Sequence, residues 1–202
     1  MRIIDELNNL NKYKGNIEWD EFYDLMDIPE EEKEKRYKLA DSLFFIILSL
    51  FALAETTEDY SVCLWWFQTQ LTNIVIEYGR YDSYSLLYIE KFSEEYLRVT
   101  FDNEGDYWKS EDRALLGALN ESNAIAEYGE LADAIDSGAT MKTWHTFKDN
   151  RVRPTHKEME GKRIPIDEFF IVGGEQLLYP RDEVNCENLA EISNCRCTLT
   201  YE

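Results

Sequence analysis

The sequence is poor in the residues that usually announce chemistry. It has two histidines and four cysteines in 202 residues. It contains no HExxH pair, no CxxC, no phosphate-cradling glycine loop and no nucleophile elbow, so the common metalloprotease, P-loop and α/β-hydrolase signatures are absent. Prolines number four, with no proline-rich linker, no internal repeat and no low-complexity tract. The longest apolar run, LFFIILSLFALA at residues 43–54, is well short of the roughly 20 residues that span a bilayer. A buried core helix is expected there, and no membrane partner. Residues 1–15, MRIIDELNNLNKYKG, lack a continuous apolar core, so no secretory signal is expected. A chain made in a reducing cytoplasm disfavours structural disulfides. Positive charge is also short: 21 basic residues face 41 acidic ones, for a net charge of -20. Such a chain repels nucleic acid in general, so contact with DNA requires a local basic patch. The acidity itself is accounted for by a solvated surface.

What the chain does have is apolar bulk. Hydrophobic residues make up 44% and aromatics 14%, enough to bury a core and to exclude wholesale disorder. The first half reads as helical. Asp27-Ile28-Pro29 and the three glutamates that follow form a helix start, because proline suits the first turn and acids suit its positive dipole end. That helix is predicted to run to about residue 56, with its apolar second half fully buried. Further helices are predicted over residues 61–78 and 83–99, giving a bundle. Trp65, Trp66 and the tyrosine-rich stretch 78–88 are either core or a partner-docking surface. The polar stretch FDNEGDY at 101–107 is the candidate boundary. A helix over 110–136 follows, with Ile125, Tyr128, Ala132 and Ile135 along one face and Gly138 as its cap.

After Gly138 the texture changes. Residues 164–172, IPIDEFFIV, read as a strand, Gly173-Gly174 as a turn and 175–179 as a returning strand. Residues 195–201, CRCTLTY, alternate like a terminal strand. The prediction is an α+β protein. A helical bundle over residues 1–105 is followed, over 106–202, by a helix and a small C-terminal domain with a β-hairpin and a terminal strand.

Both histidines and three of the four cysteines lie in this last part. On a strand, Cys195 and Cys197 would point to one face. A disulfide across one intervening residue is strained, so paired thiolates in a reducing compartment suit a metal, zinc above all. His156 is a natural third ligand, and Asp149, His145 or Cys186 a fourth. The alternatives are two small buried cysteines beside a hydrogen-bonded histidine, and a redox or disulfide role. A small domain with few apolar layers gains most from a metal staple. The same region is locally basic, through Lys142, Lys148, Arg151, Arg153, Lys157, Lys162 and Arg163. Arg151 and Arg153 face one side of an extended segment, where they can hold phosphate or pair with the chain's own carboxylates.

The order Trp144, Thr146, Asp149, Arg151-Val152-Arg153, His156 and Gly161, then Tyr179-Pro180 and Asn194-Cys195-Arg196-Cys197, resembles the Mu F-like phage head-morphogenesis family. The family's pattern is a tryptophan, an aspartate, an arginine-x-arginine, a histidine and a glycine. A proline-containing turn and a terminal asparagine-cysteine-arginine-cysteine complete it. Glu121, Asn123 and Ala124 sit where members carry a glutamate in an alanine-rich helix. The resemblance covers about residues 113–201. It departs at Asn120, where members usually have threonine, and at Arg181-Asp182, where the tyrosine-proline is often followed by glycine and aspartate. Cys186 is outside the pattern.

The resemblance implies a minor head protein: a component associated with the portal and the capsid or procapsid, made in the host cytoplasm and then held in the head interior, influencing DNA packaging or ejection. Packaged DNA is a further expected partner through the basic strip. The alternative is a zinc-dependent hydrolase or nuclease, or a nucleic-acid-binding effector, of a phage or prophage. Hydrolysis would need an open metal position and a base, for which Glu158 or Glu160 is near in sequence.

Overall fold

The structure, a computed structural model, describes Tyr23, Met26 and residues 28–202. The expectation of no secretory signal rests on residues outside the described ones, as does Asp27 of the predicted helix start.

Among the described residues, four long helices form the first part: α1 (Glu30–Thr57), α2 (Tyr60–Tyr78), α3 (Ser83–Asp102) and α4 (Glu111–Asp136). Each starts where its capping chemistry falls. Pro29 stands just ahead of α1, with Glu30, Glu31 and Glu32 in the first turn against the positive end of the helix. The Asp59 carboxylate accepts the N–H groups of Ser61 and Val62 to open α2. Asp82 and Ser85 form a reciprocal capping box on α3. Ser110 caps α4 through the Arg113 N–H. A single 3-10 turn (Asp106–Lys109) joins α3 to α4. The polar stretch at 101–107 therefore holds both the last turn of α3 and this connection.

The helices share one core. Leu43, Ile47, Leu50 and Phe51 of α1 meet Phe67, Leu71 and Val75 of α2, and Ile89, Phe92 and Leu97 of α3. From α4 come the small residues Ala114, Ala118 and Ala124. Their size brings α4 close to its neighbours. A Cβ at Gly117 would lie 2.9 Å from the Tyr96 hydroxyl and 3.2 Å from Ile47 Cδ1. By length and composition α1 could cross a membrane, yet most of its apolar window is buried in this core. The predicted stripe on α4 holds at Ile125 and Ala132, which are buried, while Ile135 is 47% exposed. Ile135 lies in the last turn, where the helix runs out past the core. Trp66 packs against the core, whereas Trp65 is 69% exposed.

The second part is built on short strands. β1 (Met141–His145) is central in an antiparallel three-stranded sheet, between β2 (Arg163–Pro165) and β5 (Thr198–Tyr201). Lys142 pairs with Ile164 on one side and Tyr201 on the other. A helical turn, α5 (Pro154–Lys157), lies between β1 and β2. β3 (Phe170–Val172) and β4 (Glu175–Leu177) form the predicted hairpin around Gly173-Gly174.

Two sequence expectations need correction here. Residues 164–172 are not one strand. Pro165 ends β2, its carbonyl accepts the Glu168 N–H at 3.1 Å, and the chain turns before β3 joins a different sheet. The terminal strand also starts later than expected, at Thr198. Asn194 adopts a left-handed φ of 54° and the Cys195 N–H bonds back to the Ile192 carbonyl at 3.3 Å. Cys195 and Cys197 thus lie in the short segment between that turn and β5, where burial already alternates, with Arg196 more exposed than either cysteine.

Arg36 ties α1 to α4. It is fully buried and donates to Asn123, to Glu127 at 3.1 Å, to Glu130 at 2.6 Å and to Glu32 at 3.3 Å. Burial pushes the Glu127 carboxyl up to about 8 against the pull of Arg36. Removing one member of such a buried cluster leaves the others unpaired, at a cost of about 3 kcal/mol or more. Arg36→Ala is expected to lower the urea midpoint accordingly. Arg36→Lys should recover little, since one ammonium cannot replace a planar fork spread over four acceptors. A midpoint unchanged in Arg36→Ala would contradict this role.

Candidate metal centre

The second core surrounds Trp144. This side chain, on β1, is fully buried and stands edge-on to Phe170 at 5.0 Å and to His156 at 5.9 Å. Its backbone is fixed by Gly161, whose N–H donates to the Trp144 carbonyl at 2.8 Å. Gly161 has a φ of +70°, a conformation glycine takes without steric cost. Two of the pattern residues named from sequence therefore act together on the backbone that carries the tryptophan.

His156, Cys195 and Cys197 converge beneath it, all three buried, with their ligand atoms within 4.8 Å of one another. His156 Nδ1 lies 3.4 Å from Cys197 Sγ and 3.5 Å from Cys195 Sγ. A tetrahedral zinc with Zn–S of about 2.3 Å and Zn–N of about 2.0 Å sets its sulfur–nitrogen edges at roughly 3.5 Å. The three donors therefore fit a thiolate-and-imidazole metal site by both type and spacing. The second imidazole nitrogen, Nε2, faces Glu191 Oε2 at 3.3 Å, and Thr155 holds that carboxylate by donating to it at 2.8 Å. A carboxylate behind a ligating histidine orients the ring and raises its basicity. The Cys197 thiol donates toward Cys195 and, with His156, holds the Cys195 sulfur well below the usual thiol range despite its burial. Cys197 is correspondingly raised, first by that hydrogen bond and then by burial.

The other residues singled out from sequence are placed as follows. Asp149 is not in the convergent group. Its carboxylate accepts Arg196 Nη2 at 2.7 Å and Arg151 Nε at 3.3 Å. The Arg196 guanidinium also stacks 4.2 Å over the Phe147 ring. Arg153 donates to the Ser193 carbonyl. His145 Nε2 meets Thr200 Oγ1 at 2.8 Å, and the Cys186 thiol donates to the Asn188 carbonyl at 3.2 Å. Neither joins the group. Asn194 takes the left-handed turn before Cys195, and its N–H donates to Asn120 Oδ1 at 2.8 Å. Glu158 is exposed, and Glu160 is held by Thr146 and Lys148.

Two residues that matter here carry no sequence signal as site members. Glu191 is one acid among 41. Arg181 follows Pro180, and its φ is +67°. Its buried guanidinium donates to the carbonyls of Leu119 and Asn120, at 3.1 and 2.8 Å, and to the carbonyl of Cys195 through Nε at 2.6 Å and Nη2. It thereby pins the cysteine turn to α4.

Glu121, the pattern acid of α4, borders a cavity of about 320 Å³ with Tyr96, Trp108, Arg181 and Glu183. Tyr88 donates to it at 2.7 Å. Burial pushes the Glu121 carboxyl up to about 7, against the lowering effects of Tyr88 and Arg181. Glu183, beside it, is also raised by burial and by Glu121.

The fold and this centre define an α+β protein with a helical frame and a small C-terminal module closed around a buried histidine and two cysteines. The family model described as Phage Mu protein F like protein matches residues 90–200, from within α3 to β5. That is more than half of the chain, and the chain belongs to this family, which is one of phage head morphogenesis. No curated protein and no solved structure matches the chain.

Two predictions follow from this geometry. Arg181→Gly relieves a left-handed backbone, worth about 1 kcal/mol, but strands buried carbonyls at about 1–3 kcal/mol for each unmade partner. A net loss of about 2–3 kcal/mol is expected from denaturant titration, and a stabilised variant would contradict it. For Glu121, a folded pKa raised above the unfolded one means that the folded state binds the extra proton. Its contribution is present below pH 4.5 and is lost as pH rises through about 7. Stability should fall across that window, and Glu121→Gln should flatten the slope. An identical slope in the variant would show that another group titrates there.

Proposed function

We propose that this chain acts as a minor head protein, associating with portal and capsid or procapsid components during head assembly and influencing DNA packaging or ejection. It would work in the host cytoplasm during assembly and then in the head interior. The observation that carries this reading is the family match over residues 90–200. On this reading residues 106–202 act as the head-morphogenesis module, and the helices of residues 1–105 meet the partner. Support for that second role comes from α2. It carries no charged residue from Tyr60 to Ile76, and Val62, Trp65 and Ile76 are exposed along it. Exposed aromatic and apolar side chains of this kind are favoured in interfaces.

We further propose that His156, Cys195 and Cys197 hold a structural zinc. When bound, the metal would contribute folding free energy to a module whose strands are three to five residues long. Contact with packaged DNA has weaker support. Lys142 is buried, with its ammonium on the Leu178 carbonyl at 2.7 Å. Lys148 and Arg163 pair with Glu160 and Glu202, at 3.1 and 2.7 Å, and Arg151 with Asp149. Much of the basic strip is thus neutralised within the chain.

Co-expression with the portal and major capsid proteins of the same genome, followed by gradient fractionation and mass spectrometry, tests the head reading. The chain is expected in the particle or portal-ring fractions, and a chain that stays at the top of the gradient refutes it. For zinc, a chelator should lower the melting temperature of the wild type, and His156→Ala or Cys195→Ser should do the same without chelator. Unchanged melting in all three cases would remove the metal from the proposal.

A further inference from the structure

A tetrahedral metal takes four ligands, and the described residues bring three donors together. Among the described residues no fourth histidine, cysteine or carboxylate joins their group. Asp149, the nearest acid in the sequence pattern, is engaged by Arg196 and Arg151. Beside the group lies a cavity of about 20 Å³, lined by Phe147, Arg151, Arg153 and Arg196 together with the three donors. A space of about 10–15 Å³ already holds one water, so this cavity accepts a single oxygen-sized ligand atom. Its wall is cationic. A divalent metal with two thiolates and a neutral imidazole is formally uncharged, and Arg151 and Arg196 share the Asp149 carboxylate, which does not line the cavity, so three guanidinium groups meet one neighbouring countercharge there. One of them also has an unused donor: Arg196 Nη1 is buried with no hydrogen-bond partner, while Nη2 is on Asp149. A buried guanidinium N–H without an acceptor is costly, and an anion is the partner it matches best.

We propose that the metal held by His156, Cys195 and Cys197 keeps its fourth position open to this cavity and binds there one oxygen of a small anion, with Arg196 as the principal countercharge. This inference rests on the zinc reading above. It adds that the centre is accessible and exchangeable rather than closed by four protein ligands. Open coordination is what separates metal centres able to bind an exogenous ligand from purely structural ones. Phosphate, as the free ion or as a phosphodiester, is the chemistry that such an arginine-lined pocket suits.

The test uses the full chain, stripped of metal and loaded with one equivalent of Co²⁺, whose visible spectrum reports ligand type and coordination. Sulfur-to-cobalt charge-transfer absorption is expected at one metal per chain. Inorganic phosphate should then shift the ligand-field bands saturably. Arg196→Gln should weaken that phosphate response about tenfold, or about 1.4 kcal/mol, with the Co²⁺ stoichiometry unchanged. Should Arg196→Gln fail to fold, the exposed Arg151→Gln replaces it, with a smaller weakening expected. A short oligonucleotide producing the same shift identifies a phosphodiester as a ligand, and a response to phosphate alone limits the site to free anions. If cobalt binds but its spectrum ignores both, a protein ligand fills the fourth position and the open site is overturned, while the zinc reading survives. If no cobalt binds, both fall together.

Discussion

Burying a guanidinium group is expensive unless its donors are met, and Arg181 places its own on backbone carbonyls from two parts of the chain. The carbonyls of Leu119 and Asn120 on one side and Cys195 on the other receive it. Those two sides are the middle of α4 and the turn that presents the cysteines. The helical frame and the C-terminal module are therefore joined by a charged group whose partners are fixed by secondary structure and by the turn. If the turn moves, a buried cation loses acceptors; if α4 moves, the same happens. The position of the cysteine–histidine centre relative to the helices is held by this side chain together with the apolar contacts of Leu131, Tyr84 and Tyr128.

The rest of the centre follows from that placement. Asn194 turns the chain in a left-handed conformation, which asparagine tolerates better than most residues. Cys195 and Cys197 then meet His156, which the single turn of α5, opened by Pro154, delivers. Glu191 and Thr155 hold the far side of the ring. Trp144 stands edge-on to His156 and is itself packed against Phe170. The module has only short strands and an apolar cluster in which the two cysteines are themselves members. A domain of this size gains more from a metal than a larger one would, because its apolar layers are thin.

The helical frame was largely legible from sequence because its signals are local. Pro29 with the acids at the start of α1, its apolar second half and the spaced apolar residues of α4 each act within a few residues of where they are read, whereas the caps at Asp59, Asp82 and Ser110 emerged only in the structure. The C-terminal module was legible in content but not in outline. The nine-residue stretch 164–172 became two strands because the chain turns after Pro165, and the cysteines were expected on a strand that begins only at Thr198. Their meeting with His156 was anticipated, although they sit just ahead of the strand and not in it. Arg181 and Glu191 were not legible as site members. Their partners lie far away in sequence or are backbone atoms, and no spacing encodes a carbonyl. The basic strip shows the opposite limit. Composition places seven cations within 22 residues, but only the fold reveals that Lys142 is buried and that several of the others are paired.

The most direct measurement is X-ray absorption at the zinc edge on the purified full chain. The geometry predicts one zinc per chain, with a shell of two sulfurs at about 2.3 Å and light atoms, one of them imidazole nitrogen, at about 2.0 Å. Absence of zinc, or a shell of oxygen and nitrogen alone, would contradict the central claim that His156, Cys195 and Cys197 form the metal-holding knot of this head-morphogenesis module.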